Sequence, residues 1–300
     1  MFTRLYVTQC IISPASANNI TKIARLFDVF NGAEMDNKGK YSFFIDIDGT
    51  LITHKRHSLS ERVRRAILLA RAEGAMFFIN TARSRSYIPD TLTDGNIFDG
   101  ICCGGGTYIE LGGKCIYSRY ISEDILCSMV ESMLKNKEET VLCFEGSEHM
   151  YYMGKKQDWF TENFYPVSSP DDFRTIYKDA KIQKFATTGT VLPSESFIKD
   201  FSQWFDVLVY PRYVEGMSFG YDKGGAIKIA EKVLDLDHDF TVAVGDSIND
   251  LPMFRYAAIS VAMGNAPDEV KKICTHVTES AENDGVAAII ERLTGISVEN

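Results

Sequence analysis

The chain has no Cys-x-x-Cys pair, and its seven cysteines (10, 102, 103, 115, 127, 143 and 274) are odd in number and scattered, so neither a disulfide framework nor a zinc site organises it. A reducing cytoplasm fits that usage best. No apolar run approaches the length of a membrane span, so no membrane partner is expected. There is no dense Lys/Arg run to neutralise successive phosphates, and 32 basic against 41 acidic residues leave a net charge of −9, which argues against nucleic acid as a partner. Internal repeats and low-complexity segments are also absent. What is present is 300 residues at 45% hydrophobic content, enough for one large core and a smaller one, and two domains are expected.

The beginning of the chain differs in texture from the rest. Met1 to Ala17 carries one early base, Arg4, a short apolar patch and an Ala-Ser-Ala ending, a superficial likeness to a signal peptide. Thr8, Gln9 and Cys10 interrupt the patch and argue against secretion. Asn31 to Lys40 is polar and turn-rich, a linker into the first strand, so residues 1–40 read as an N-terminal extension, with poor order one reading open for it.

Tyr41 to Ile52, YSFFIDIDGTLI, opens on an apolar run suited to a strand buried on both faces of a parallel sheet. Asp46 and Asp48 end that run, and Gly49 and Thr50 turn the chain, which places both carboxylates at the strand's C-terminal edge. Open α/β sheets bind their ligands at that edge. Ser58, Ser60 and Glu61 signal a helix with Val63, Ile67, Leu68 and Ala70 at helical spacing, closed by Gly74. Ala75 to Ile79 is a second buried strand ending in Asn80, Thr81, Ala82 and Arg83, and Ile97 to Cys103 a third, running into Gly104, Gly105 and Gly106.

From Thr107 to Tyr213 the pattern changes to short strands and helices. A hairpin turns at Gly112-Gly113, helices fit 122–135 and 194–204, and strands fit 140–145, 149–153, 181–187 and 206–210. That mixture predicts an α+β insert. Asp222, Lys223 and two glycines then open a helix to Leu234, and Phe240 to Val244 is a strand ending in Gly245-Asp246, followed by Ser247, Ile248, Asn249 and Asp250. A strand near 259–262 and a helix around 286–293 complete the layer. The fold class expected is α/β, a doubly wound, mostly parallel sheet with an inserted α+β domain. Residues 41–106 and 214–300 form the core, and 107–213 form the insert.

Asp46/Asp48, Thr81, Lys223 and Asp246/Asn249/Asp250 each stand at a strand end or helix start, and together they suit phosphoryl transfer. Taken singly, each also fits a strand-end, capping or solvated residue. Asp46 can attack phosphorus as a carboxylate, and Asp48 can protonate the leaving oxygen and then activate water. A carboxylate about 4 Å from a phosphate dianion meets roughly 8 kcal/mol of repulsion at an effective dielectric near 20. A divalent cation removes much of it, and an all-oxygen donor set suits Mg²⁺ rather than zinc. Asp46 and Asp246 are the carboxylates assigned to the ion, with the Asp48 carbonyl a third ligand and Asp250 beside or behind them. Thr81, Asn249 and Lys223 supply donors to the phosphoryl oxygens.

The motifs DIDGTL at 46–51, Thr81, Lys223 within DKGGAI and GDSINDLPMF at 245–254, together with NDGVAAIIERL at 283–293, resemble the haloacid dehalogenase-like (HAD) superfamily. Within it the chain is similar to the Cof-type phosphatases, which carry a large α/β cap between the second and third motifs. The resemblance covers about 41–294 and implies a Rossmann-like core, Asp46 as nucleophile and Asp48 as acid/base. It further implies Asp46, Asp48 and Asp246 as Mg²⁺ ligands, and Thr81, Lys223 and Asn249 as phosphate binders. Dehalogenases of the superfamily lack a carboxylate at the position of Asp48, which leaves phosphatases and phosphomutases. Ala82, where the family often has Gly, and Gly104-Gly105-Gly106, where Asn-Gly-Ala is common, depart from the pattern.

The expectation is a hydrolase of small phosphorylated metabolites, sugar phosphates or similar phosphomonoesters. The alternatives are a phosphomannomutase-like phosphomutase and a non-catalytic binding protein on the same fold. The basic residues of the insert, Arg119, Lys155, Lys156, Lys181 and Lys184, read as solvated surface. The insert is expected to act as a lid hinged near Gly104 to Gly106 and near Arg212 to Gly216. No oligomeric state follows from the sequence.

Overall fold

The computed structural model describes residues 39–298, so all but the last two residues of the 1–40 extension lie outside the described residues. β1 (Ser42–Ile45) and β2 (Met76–Asn80) run parallel in register, Phe43 beside Phe77 and Phe44 beside Phe78. Each pair stacks, with ring centroids 4.8 and 4.7 Å apart. Successive side chains of a strand point to opposite faces, so one stack serves each face of the sheet and both faces need cover.

Helices supply that cover. α1 (Glu61–Ala72) is capped by the Ser60 hydroxyl, which accepts from the Val63 amide, and it buries Val63, Ala66, Ile67 and Ala70. It shares the Phe43/Phe77 face with the C-terminal helix, Gly285–Thr294, which contributes Val286, Ala287, Ile289 and Ile290. On the Phe44/Phe78 face lie the helices Lys223–Leu234 and Leu251–Tyr256, through Ala226, Ile227, Ala230, Met253 and Phe254.

The sheet continues from β2 to β3 (Gly100–Cys103), then β4 (Tyr108–Leu111) and β5 (Lys114–Ser118). On the other side of β1 stand the strands Thr241–Gly245, Ile259–Ala262 and His276–Val277, all parallel to it. β1 is therefore central, and the chain winds outward from it first one way and then the other. The gap between β1 and Thr241–Gly245 is the switch point of the doubly wound sheet, and the ligand crevice of such sheets opens there.

A second sheet of six strands is built by the insert. Its strands are β6 (Val141–Gly146), β7 (Met150–Met153), β8 (Phe164–Pro166), β9 (Ile182–Thr188), β10 (Phe205–Val209) and β11 (Val214–Ser218), in the order β10-β11-β9-β6-β7-β8. One face is covered by the helices Glu123–Asn136 and Glu195–Phe201, through Leu126, Val130, Phe197 and Phe201 packed on Phe144 and Phe185. A mostly antiparallel sheet needs only one covered face, and the other looks toward the first sheet.

Two expected boundaries are corrected. Sequence texture puts the 108–118 hairpin in the insert, but β4 pairs antiparallel with β3 and β5 with β4, so the chain leaves the first sheet after Ser118. It puts residues 214–218 in the core, yet β11 pairs with β9 and β10 in the second sheet. In both places a hairpin partner next in sequence decided membership, and hydrophobic texture carries no such information. β8, three residues long, was not foreseen. Among the described residues no helix is long and apolar enough to cross a membrane.

Candidate active site

The predicted residues converge at the switch point. Asp46 follows β1 directly, with its amide bonded to the Val244 carbonyl (2.9 Å), and is buried. Thr81 follows β2, also buried, its amide bonded to the Cys102 carbonyl (2.9 Å). Lys223 is the first residue of its helix, whose start is fixed by the Asp222 carboxylate accepting from the Gly225 amide. The Asn80 amide group holds the Lys223 carbonyl (3.0 Å), which ties the helix to the end of β2.

Lys223 is 1% exposed, and its ammonium spends its donors on Asp46 Oδ1 (2.6 Å), Asp250 Oδ1 (2.5 Å) and Asn249 Oδ1 (3.2 Å). Asp250 Oδ2 accepts from the amides of Asp246 (2.9 Å) and Ser247 (3.0 Å), so this buried acid shapes the loop that presents Asp246 and Asn249. Carboxylate oxygens of Asp46, Asp246 and Asp250 lie within 4.8 Å of one another. Burial pushes Asp46 up, against the opposing pull of Lys223. Burial, with Asp250 adding, pushes Asp246 up to about 6. Burial would lower Lys223, but Asp250 and Asp46 hold it above the ordinary lysine range. These directions agree physically, because three acids share one buried ammonium and the site carries surplus negative charge.

Asp48 is placed differently. Its side chain is exposed and lies outside that acidic cluster, gripped by Arg83 through Nε to Oδ2 (2.8 Å) and Nη2 to Oδ1 (2.7 Å). For the metal role only its backbone carbonyl is then left. Gly49 makes the turn between the two acids possible. Its φ is +76°, and a Cβ there would lie 2.2 Å from Asp246 Oδ2.

Sequence reasoning passed over several residues. Arg83 stands two residues beyond Thr81 at the same strand end, a position that could have flagged it. Asn265 follows the strand Ile259–Ala262 at the same sheet edge and donates to Gly49 O (2.9 Å) and Asp246 Oδ2 (3.1 Å). Residues of the second sheet had no such signal. A cleft of about 600 Å³ lies between the sheets, lined on one side by Asp46, Asp48, Thr81 and Asp246 and on the other by Glu145, Lys184 and Glu215. Lys184, expected on the solvated surface, is 3% exposed and paired with Glu215 (2.7 Å). That expectation fails because alternation along β9 turns Lys184 inward. Lys155, Lys156 and Lys181 are exposed as expected.

The loop after β2 joins the two walls. Ser86 Oγ donates to Gly146 O (2.7 Å), and the Arg85 amide donates to Gln183 Oε1 (2.9 Å). Gly106 allows another close approach. Its φ is +92°, and a Cβ there would lie 2.5 Å from the Asp222 carbonyl, beside the start of the Lys223 helix.

The family model described as haloacid dehalogenase-like hydrolase matches residues 43–290. The chain belongs to that family. It is therefore an enzyme of the HAD-like hydrolase type. The phosphoglycolate phosphatase of Methanothermobacter thermautotrophicus is 26% identical over 253 residues, covering 84% of this chain and 97% of the relative. Phosphatase YwpJ of Bacillus subtilis is 24% identical over 296 residues, covering 83% and 98%. Among solved structures, the sugar phosphatase BT4131 superposes with a TM-score of 0.70 at 23% identity, covering 86% of this chain and all of that one. This HAD-like hydrolase thus shares the whole fold, core and cap together.

Proposed function

We propose that the chain is a Mg²⁺-dependent phosphatase of the Cof type, hydrolysing small phosphomonoesters, sugar phosphates or similar metabolites, through an aspartyl-phosphate on Asp46. The observation that carries this reading is the buried Lys223 node, which holds Asp46, Asn249 and Asp250 together at the switch point with Asp246 alongside. Phosphatase relatives that match over more than four-fifths of the chain support it. A cytoplasmic setting agrees with six cysteines that are free among the described residues.

The site fits a magnesium ion on its own terms. Asp246 Oδ1 is buried and has no hydrogen-bond partner, the acids outnumber the one ammonium, and the donors are all oxygens. Asp46 and Asp246 would hold the ion with the Asp48 carbonyl. Asp250, with both oxygens spent on Lys223 and the two amides, stands behind them. The ion would supply positive charge against the repulsion between Asp46 and a phosphate dianion.

The residues of the chain do the rest. Asp46 attacks phosphorus as its carboxylate while the Asp48 carboxyl, turned away from Arg83, protonates the leaving oxygen. Asp48 then takes a proton from the water that cleaves the aspartyl-phosphate. Thr81 and the Asn249 side-chain amide donate to the phosphoryl oxygens as their charge redistributes, and Lys223 joins them by giving up its longest contact, the 3.2 Å bond to Asn249 Oδ1.

A phosphomutase would share this core and would need a cationic grip for a second phosphate on the cap wall, where Lys184 stands between two glutamates and Arg212 is exposed to water. The test is phosphate release across a panel of phosphorylated metabolites with Mg²⁺, beside an assay for hexose phosphate isomerisation. Release of phosphate in a metal-dependent manner supports the reading. Isomerisation without release, or no turnover of any phosphomonoester, removes it.

A further inference from the structure

The cap wall of the cleft carries a charged group that the chemistry above does not use. On the uncovered face of the second sheet, Glu145 of β6 stands opposite Lys184 of β9, and Glu215 of β11 stands opposite Ala186, two residues farther along β9. Glu215 is fully engaged, accepting from Lys184 Nζ at Oε2 (2.7 Å) and from the Tyr210 hydroxyl at Oε1 (3.1 Å). Glu145 is only 7% exposed and lines the cleft, yet among the described residues no donor hydrogen-bonds its carboxylate. Lys184 acts on it electrostatically, and the Glu145 carboxylate oxygens are open to the cleft, where a donor on a ligand can reach them.

The surroundings narrow that partner. Arg212 also lines the cleft but is exposed to water, whereas the charges buried in this wall are two carboxylates and one ammonium, so a second phosphate or a carboxylate placed against Glu145 itself would be repelled. Lys184 Nζ beside Glu145 likewise disfavours a second ammonium. It keeps N–H donors beyond the one given to Glu215, so a group that can both donate and accept suits the pair. Tyr87 and Tyr213 line the same cleft, which Asp48 also lines from the core side.

We propose that Glu145 is a specificity-determining residue of the cleft, accepting a hydrogen bond from a hydroxyl of the leaving group and rejecting leaving groups that carry a second anion. The Lys184–Glu215 pair positions it. This inference rests on the phosphatase reading of the same site.

The test compares kcat/KM of the full-length Mg²⁺-loaded enzyme on three substrates: a hexose 6-phosphate, p-nitrophenyl phosphate, which offers no donor, and 2-phosphoglycolate, whose leaving group is anionic. The wild type is expected to rank the hexose phosphate first and phosphoglycolate last. Glu145→Gln should lower the ratio of hexose phosphate to p-nitrophenyl phosphate by about 10- to 100-fold, as for loss of a charge-assisted hydrogen bond. It should also raise the relative rate on phosphoglycolate. Glu145→Asp, which keeps the charge, should keep the rejection of phosphoglycolate.

An equal loss on all three substrates, or unchanged ratios, would mean a structural role only and would overturn the proposal. If Glu145→Gln does not fold, as judged by its melting curve, the wild-type ranking decides, and preference for phosphoglycolate overturns it. No turnover of any substrate would defeat the phosphatase reading instead. Turnover with an indifferent Glu145 would defeat only this one.

Discussion

Among the described residues two lysines are buried, each among carboxylates, and they stand on opposite walls of one cleft. Lys223 in the core spends its donors on Asp46, Asn249 and Asp250, and the acids around it still exceed its charge. Among the described residues Lys184 in the cap makes a single hydrogen bond, to Glu215, and meets Glu145 only electrostatically. On the proposed reading, the core arrangement serves the phosphoryl group that all phosphomonoesters share and the cap arrangement meets the leaving group, so perturbing each should leave a different signature.

The largest effect should come from Asp46→Asn, which removes the proposed nucleophile while keeping its shape. Turnover should fall on the order of 10⁴-fold and by the same factor for every substrate. Phosphate-release kinetics check the factor, and mass spectrometry of a rapidly quenched wild-type reaction checks for a phosphate adduct on Asp46. A substrate-dependent loss would blur the separation of the two walls.

Chelation comes next. Removing metal with EDTA should abolish turnover on all substrates, and Mg²⁺ should restore it. The metal-free protein should also show a particular pH dependence. The folded carboxyl of Asp246 sits at about 6, raised chiefly by burial, against about 4 in an unfolded chain. The folded state therefore holds the proton more tightly in that window. Stability from this group is fully present below about 4 and is lost as pH rises through 6. Melting curves without metal should fall over that range, and Mg²⁺ should raise the midpoint more at pH 7 than at pH 5.

The lysines themselves can be compared directly. Lys223→Met leaves several buried acceptors unpaired and should cost about 3–5 kcal/mol of folding stability. Lys184→Met breaks one charge-assisted hydrogen bond and should cost about 1.5–3 kcal/mol. Urea unfolding measures both. An equal cost would show that Lys184 also holds Glu145 in the folded state, and would weaken the contrast drawn here.

The smallest effect expected is from Gly49→Ala, which places a methyl against Asp246 at a positive φ. A loss of about 1–2 kcal/mol in stability is expected from the backbone alone, with weaker Mg²⁺ binding by calorimetry as Asp246 is displaced.

The core was legible to the level of single residues, because parallel strands are apolar throughout and any acid at their ends stands out. Asp46, Thr81 and Asp246 were visible for that reason. Lys223 and Asn249 followed from their places at helix starts, and the described geometry brings all five together with Asp250. The carboxylate of Asp48 was paired with Arg83 instead of joining the acids, since a strand-end position says where a side chain begins and not which partner it meets. In the cap, short strands with mixed polarity gave helices and strands at nearly the right places, while the inward face stayed hidden. A one-residue change of register turns every side chain of a strand to the other face, so Lys184 could not be told from Lys181.

By itself, then, the sequence determined the doubly wound sheet, its interruption by an insert, and the acids, lysine and amides at one sheet edge. These follow from local periodicity and from where polar residues interrupt it, which are properties of neighbours along the chain. The tertiary structure alone decided that the 108–118 hairpin extends the core sheet, that Arg83 holds Asp48, and that Glu145, Lys184 and Glu215 face the catalytic edge across a cleft. Those are matters of strand pairing and of burial between distant segments, and a charged side chain carries no local mark of whether it will meet water or another charge.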